Sequence, residues 1–263
     1  MRMDEDYFKH LKLLHDERNS LLYWYPKIKD IAPTPKTECV VGDIIGETLK
    51  SDYDVVLPRG MYPKIRKIAR EFGYPVFIRT DIDSDKHNYK NTCFVESEDK
   101  LLGNIMEMLA NIIAFKELYP RAICVREYVE LDWKFKAFWG ELPIAPEVRV
   151  MIRNHEIERW FFYWVEDAII KPSVSNWREL LAEMRQIAED EQDKFLSIAE
   201  RVAKVFDGYW SVDFARTRRG EWILIDMALG EVSWTPEDTK KKSRKNLFSS
   251  LLEGSEGDSN GKV

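Results

Sequence analysis

The chain of 263 residues is poor in cysteine, has no long apolar run and carries no excess of positive charge. Its three cysteines, Cys39, Cys93 and Cys124, lie far apart. None falls in a CxxC or Cys/His spacing, which excludes a zinc cluster, and the count is odd. They read as reduced, partly buried thiols of a cytoplasmic protein. The four histidines, His10, His15, His87 and His155, show no metal-ligand spacing. No serine or cysteine stands in a nucleophile-elbow context. No stretch approaches the roughly 18 apolar residues of a membrane-crossing helix. The opening MRMDEDYFKHLKLLHDER is charged throughout, unlike a signal peptide. A net charge of -6 argues against a general nucleic-acid coat protein, though a local basic groove stays open.

What is present suits a folded protein able to bury a core in one domain or two small lobes. Hydrophobic residues make up 44% and charged residues 33%. Nine tryptophans raise the aromatic share to 13%, so aromatics either pack a core or line a surface that meets something flat. Residues 4–24 carry the spacing of one amphipathic helix, ended by Pro26. Residues 37–57 read as short strands or an irregular lead-in. A helix over 61–73 ends at Gly73, and Tyr74–Arg79 follows as a strand. After the polar loop TDIDSDKHNYKN, Cys93–Val95 resumes strand character, and Glu98–Leu118 is a strong helix. Ile123–Val129 is a strand. Trp133–Trp139, Glu147–Arg153 and Glu156–Val165 alternate in a way that suits one antiparallel sheet. Residues 176–206 form one long helix or two short ones. Trp210–Arg216 and Glu221–Met227 close the fold as a hairpin across Arg218-Arg219-Gly220. The polar stretch from 237 to 263 is expected to be disordered. Its KKKSRK run is solvated or meets an acidic or nucleic-acid partner.

Four groups of residues carry chemistry. Asp213 and Asp226 sit in otherwise apolar strands, where a carboxylate is costly unless it meets a cation or donors. On paired strands the two can face one site whose hard oxygens suit magnesium; the alternative is that each pairs with Arg216, Arg218 or Arg219. Arg79 ends a strand and Lys86 follows seven residues later across a loop without glycine, so the loop is no P-loop. Two such cations could hold phosphates from two sides, or could belong to a solvated loop. Glu147 and Arg149 share a strand face, either paired with each other or turned together into a cleft. Val125–Val129 leaves one apolar stretch and enters another, as a connector whose backbone could meet a planar base.

In this order the segments resemble the ATP-grasp superfamily over roughly residues 55–234. More narrowly, they are similar to the cell-division-cycle ATP-grasp family, whose eukaryotic members assist assembly of a translation initiation factor. The matching motifs are Arg79 and Lys86, Val125-Arg126-Glu127-Tyr128-Val129-Glu130-Leu131, Glu147-Val148-Arg149, Asp213-Phe214 and Leu224-Ile225-Asp226. A second resemblance is to ATP-grasp enzymes proposed as RNA-repair ligases, carried by Asp226 through the turn at Gly230-Glu231 to Val232-Ser233. Arg79 stands where lysine is usual. Ala228 stands where many ATP-grasp proteins have asparagine or another metal ligand.

The resemblance implies a two-lobed α+β ATP-grasp fold with antiparallel sheets and ATP in the cleft between lobes. Its expected divisions are a lead-in over 1–55, an N-lobe over 56–127, a C-lobe over 128–236 and a tail over 237–263. It implies ATP and magnesium as cofactors, with Arg79, Lys86 and Arg149 on phosphates and Arg149 also catalytic. Glu127, Tyr128 and Val129 would meet adenine, Glu130 or Asp132 the ribose, and Glu147 a neighbouring lysine or the metal. Asp213, Asp226 and, in place of residue 228, Glu231 would hold magnesium. The expected function is an ATP-dependent ligase working through a phosphoryl or adenylyl intermediate, with RNA as a candidate substrate. The alternative is an ATP-dependent assembly factor without turnover, whose partner belongs to the translation machinery. Ala228 and the lack of an evident second-substrate pocket favour the alternative slightly.

Overall fold

The amphipathic run at the N-terminus breaks where its polar residues cap. The computed structural model describes residues 5–51, 54–139 and 141–237. In it, helix α1 (Glu5–Leu14) is followed by a 3-10 turn (Glu17–Asn19) and helix α2 (Leu21–Ile28), not by the single helix expected. The Asp16 side chain accepts the Arg18 N–H, and Ser20 Oγ accepts the Leu22 N–H as the N-cap of α2. Pro26 lies inside α2 rather than past its end.

The first sheet contains β1 (Thr37–Val41), β2 (Val76–Thr80), β3 (Phe94–Val95) and β4 (Ala122–Glu127). Its order is β1-β4-β2-β3, and every pairing is antiparallel. Three helices belong to this part: α3 (Ile44–Lys50), α4 (Met61–Phe72) and α5 (Glu98–Lys116). Strand side chains alternate between faces. Val40, Val76, Ile78, Ile123 and Val125 therefore pack on Ile65 and Ala69 of α4 and on Ile105, Met108 and Ile112 of α5. Phe77, Arg79 and Arg126 take the opposite face and line a cavity. Gly73 ends α4 with φ 79°, a left-handed value that glycine adopts at no steric cost. Residues 44–50 correct the irregular lead-in expected there: Asp43 caps the Gly46 N–H and starts a helix.

The cysteines correct the expectation of three thiols. Cys39 on β1 lies opposite Cys124 on β4, with Cα atoms 4.0 Å apart, and the two form a disulfide. Cys93 remains free and buried. The bridged pair is separated by 85 residues, and only antiparallel pairing brings it together.

A two-stranded hairpin, β5 (Phe135–Ala137) with β6 (Leu142–Ile144), stands by itself. This corrects the expectation that Trp133–Trp139 joins the following strands. The chain turns back through positive φ at Phe138 and Glu141, and Lys134 N–H bonds to Ile144 O, so β5 is already paired.

The second sheet has β7 (Glu147–Arg153), β8 (Glu156–Phe162), β9 (Tyr209–Arg216) and β10 (Trp222–Leu229), ordered β10-β9-β7-β8. β7 and β8 join through Asn154 and His155, both at positive φ as a two-residue I′ hairpin requires. Residues 176–206 resolve into α6 (Trp177–Asp190) and α7 (Gln192–Ala203), which break at Glu191. Phe195, Ala199 and Val202 of α7 belong to one core with Val148, Val150, Ile152, Phe214 and Leu224 of the sheet. Glu147, Arg149 and Asp213 alternate onto the other face.

One bulge decides the chemistry of β10. Trp222, Ile223 and Leu224 pair in register with Arg216, Ala215 and Phe214, but the next pair is Asp226 with Asp213. Ile225 is the extra residue. Strict alternation from Trp222 and Leu224 would drive Asp226 into the core. The bulge instead puts Asp226 beside Asp213 and returns Met227 and Leu229 to the core.

Met1–Val232 form one unit and Ser233–Val263 a second, of which residues 233–237 are described; the expected polar tail otherwise lies outside the described residues. No helix among the described residues is long and apolar enough to cross a membrane.

Candidate functional site

The polar faces of the two sheets line one cavity of about 360 Å³. β2 supplies Arg79, β4 supplies Arg126 and Glu127, and the loop before β3 supplies Lys86 and His87. β7 supplies Glu147 and Arg149, β9 Asp213, and β10 Ile223, Ile225 and Asp226. The connector after β4 adds Tyr128, Val129 and Leu131.

Opposite charges meet throughout. Arg79 Nη1 donates to Asp226 Oδ1 at 2.8 Å, joining the first sheet to the second. Lys86 Nζ donates to Glu147 Oε1 at 3.0 Å and lies 4.3 Å from the centre of the Tyr163 ring. Arg149 grips both oxygens of Asp213 at 2.7 Å, a bidentate pair between register partners of β7 and β9. Arg126, buried, instead donates to neutral acceptors: Ile225 O at 2.7 Å and Thr37 Oγ1 at 3.1 Å.

Burial shapes the ionisation of these groups. Burial pushes the Glu147 carboxyl up, against the pull of Lys86. It would lower the Lys86 ammonium, but Glu147, Tyr163 and Asp213 outweigh it and hold Lys86 charged. Burial and the neighbouring Arg79 charge push Arg126 down to about 10. His87 is pushed down to about 4 by burial and by the charges of Lys86 and Lys116, and its ring stacks on Phe138 at 4.3 Å.

Of the residues singled out in the sequence, Arg79, Lys86, Glu127, Tyr128, Val129, Glu147, Arg149, Asp213 and Asp226 line this cavity. Glu147 and Arg149 do share a face, yet each bonds a different partner. Asp213 and Asp226 meet arginines, but not those of the β9–β10 turn. Glu130 and Asp132 do not line the cavity. Glu130 pairs with Arg218, and Asp132 accepts from Arg216 Nη1 at 2.7 Å. Both are drawn to the arginines of the β9–β10 hairpin. Glu231 is exposed in the 3-10 turn Gly230–Val232 and does not line the cavity that holds the other two acids. That turn leaves β10 after Leu229, whose N–H bonds to Asn19 Oδ1, which aims the chain toward the N-terminal segment.

The sequence also concealed some of the lining. Arg126 falls in the connector motif, where the backbone is the expected contact, yet its side chain lines the cavity. Its alternation with Cys124, against Ile123 and Val125, was the available signal. Tyr163 and His87 carried no spacing that marked them.

Cations from both sheets, two neighbouring carboxylates and an aromatic, apolar end can hold a planar, polyanionic ligand. This arrangement, between two antiparallel sheets, is that of an ATP-grasp protein. The family model for the ATP-grasp domain, R2K clade family 3, matches residues 69–251, and the chain belongs to that family. Among solved structures, the chain is similar to C-terminally truncated Cdc123 from Schizosaccharomyces pombe. Identity is 13% and the TM-score 0.55, covering 95% of this chain and 96% of that one. A second structure of Cdc123 from Schizosaccharomyces pombe matches at 15% identity and TM-score 0.51, covering 84% and 85%. A D-alanine–D-alanine ligase from Bacillus anthracis matches at 12% identity and TM-score 0.43, covering 92% and 68%. At such identities the Cdc123 likeness is one of fold. The comparison with curated proteins gave no match.

Proposed function

We propose that the cavity binds ATP with magnesium, and that the chain is an ATP-dependent ligase. It would act through a phosphoryl or adenylyl intermediate, with RNA a candidate second substrate. One observation carries this reading: Arg79, Lys86, Arg126 and Arg149 converge with Asp213 and Asp226 in a single cavity of about 360 Å³. That volume lies in the range of small-molecule sites, roughly 300–1,000 Å³.

The base belongs at the connector, against the backbone of Tyr128 and Val129. There Phe94 meets Tyr128 edge-on at 5.2 Å and Tyr89 face-on at 5.1 Å. The phosphates belong with the four cations, held from two sheets at once. Glu147 orients Lys86. Arg149 stabilises charge on the transferred group, which is where an electrostatic catalyst does most.

The acids fit magnesium of a particular kind. Among the described residues no group of three or more His, Cys, Asp and Glu could hold a metal by itself. Magnesium bound through one or two carboxylates plus substrate phosphates needs no such cage. Asp213 and Asp226 are the pair that would hold it, and when bound it would neutralise phosphate charge.

Ala228 favours a second reading. It follows Asp226 by two residues on β10, where a further oxygen ligand would complete the metal site, and it offers none. A chain that binds ATP without turnover would be an assembly factor, with a protein of the translation machinery as partner.

Calorimetry with ATP and magnesium on the wild type and on Lys86→Ala tests binding. A loss of at least about tenfold is expected from removing one charge-assisted contact. Equal affinity would remove Lys86 from the site. ATP labelled at the alpha or gamma phosphate, offered with RNA or amino-acid pools, separates the two readings. Labelled product supports the ligase; no turnover, with co-purification of a translation factor, supports the assembly factor.

A further inference from the structure

Three of the four cations assigned to the phosphates are already held by the protein's own acids, while Arg126 donates to neutral oxygens. Arg79 is held by Asp226, Lys86 by Glu147 and Arg149 by Asp213. A polyphosphate entering alone must displace carboxylates and then lie beside them, anion against anion. A divalent cation entering alone must displace arginines and finds two carboxylates at most. Each ligand removes the obstacle to the other. Phosphate takes the cations, and metal takes the acids they release.

We infer that the cleft is self-neutralised and loads by ion-pair exchange, so that nucleotide and divalent cation bind as mutually dependent ligands; this rests on the nucleotide-binding reading above. The Arg79–Asp226 pair is the first to open. The Arg79 side chain is 3% exposed and fixed further by its Nε bond to Thr80 O. Its partner Asp226 is 39% exposed. By contrast, Arg149 and Asp213 are exposed only 10% and 7% and share two short bonds. Asp226 also follows the bulge at Ile225, where the ladder to β9 is interrupted. The acid that can move is thus the one reached from solvent, and the arginine it uncovers stays in place.

Ion-pair exchange and simple metal ligation differ in sign at Asp226 when metal is withheld. Asp226→Asn keeps the shape, removes the charge and leaves Arg79 uncompensated. In EDTA, ATP or inorganic tripolyphosphate should bind the variant roughly tenfold more tightly than the wild type, the worth of one charge-assisted contact. With magnesium, the variant should lose affinity. Glu147→Gln, which uncovers Lys86, should show the same metal-free gain and decides the matter if Asp226→Asn does not melt cooperatively. Titration calorimetry reads all of these. Wild-type protein that binds no ATP even with magnesium overturns the nucleotide reading. Wild-type protein that binds ATP with magnesium, beside variants with no metal-free gain, overturns the exchange and leaves that reading standing.

Discussion

Replacing Arg149 by methionine tests whether the cleft pairs are desolvated. Asp213 lies at 5% exposure, and both its oxygens bond to Arg149 at 2.7 Å. Lys86 is close enough to feel Asp213 but already donates to Glu147. Arg149→Met therefore leaves a buried carboxylate with no cation of its own. Breaking a buried pair in this way costs about 3–5 kcal/mol. The residual field of Lys86 places the expected loss near about 3 kcal/mol. For a chain of this size each kcal/mol lowers Tm by about 2–4 °C, so the variant should melt about 6–12 °C early. Arg149 also lies 5.0 Å from the Tyr163 ring centre, and that contact disappears too. The double variant Arg149→Met/Asp213→Leu removes both charges and should return to within about 1 kcal/mol of the wild type. Urea and thermal melts of the three proteins supply the numbers. A single variant that loses less than about 1 kcal/mol, or a double variant no more stable than the single, would refute the claim that these charges are cut off from water.

Three further outcomes follow from other parts of the fold. Glu191, at the α6–α7 break, is held down to about 2 by its bonds to Arg216, Lys194 and Trp222. A depressed carboxyl stabilises above its unfolded value near 4.5 and loses that effect as pH falls toward about 2. Acid titration of stability should thus flatten in Glu191→Gln relative to the wild type, and parallel curves would contradict this. His87, pushed down to about 4, favours the fold above its unfolded value near 6.5 and loses that effect as pH falls toward 4. His87→Phe, which keeps a ring to stack on Phe138, should remove the decline in melting temperature over that window, and an unchanged decline would assign it elsewhere. Thiol titration in denaturant without reductant should count one reactive cysteine, Cys93, and three after reduction; three from the start would exclude the Cys39–Cys124 bridge.

The elements with strong periodicity were legible. Glu98–Lys116 carries its apolar stripe openly, Gly73 marks the end of α4, and the closing hairpin shows its turn at Gly220. What stayed hidden depends on register. The sequence puts Asp226 two residues after Leu224, and period-two counting would bury it with Leu224. Only the extra residue at Ile225 turns it to the cleft, and no local pattern announces a bulge. The same holds for Cys39 and Cys124, which are neighbours only because β1 and β4 align residue for residue. The ribose candidates Glu130 and Asp132 follow the connector in sequence but do not line the cavity. Which way they turn is set by Arg216 and Arg218, more than eighty residues distant. Arg126 differs in kind: it shares a strand face with Cys124, and that alternation alone points its side chain to the cleft.

The disulfide has a consequence for how the molecule meets its own copies. β1 is the outer strand of its sheet, with one edge unpaired among the described residues and Val41 exposed at its end. Exposed edges invite another chain to add a strand, the usual seed of aggregation and domain swapping. A strand bonded covalently to its neighbour cannot peel off and offer both sides. Reductant would remove that restraint. The colloidal behaviour of the protein would then track its thiol state more closely than its nucleotide content.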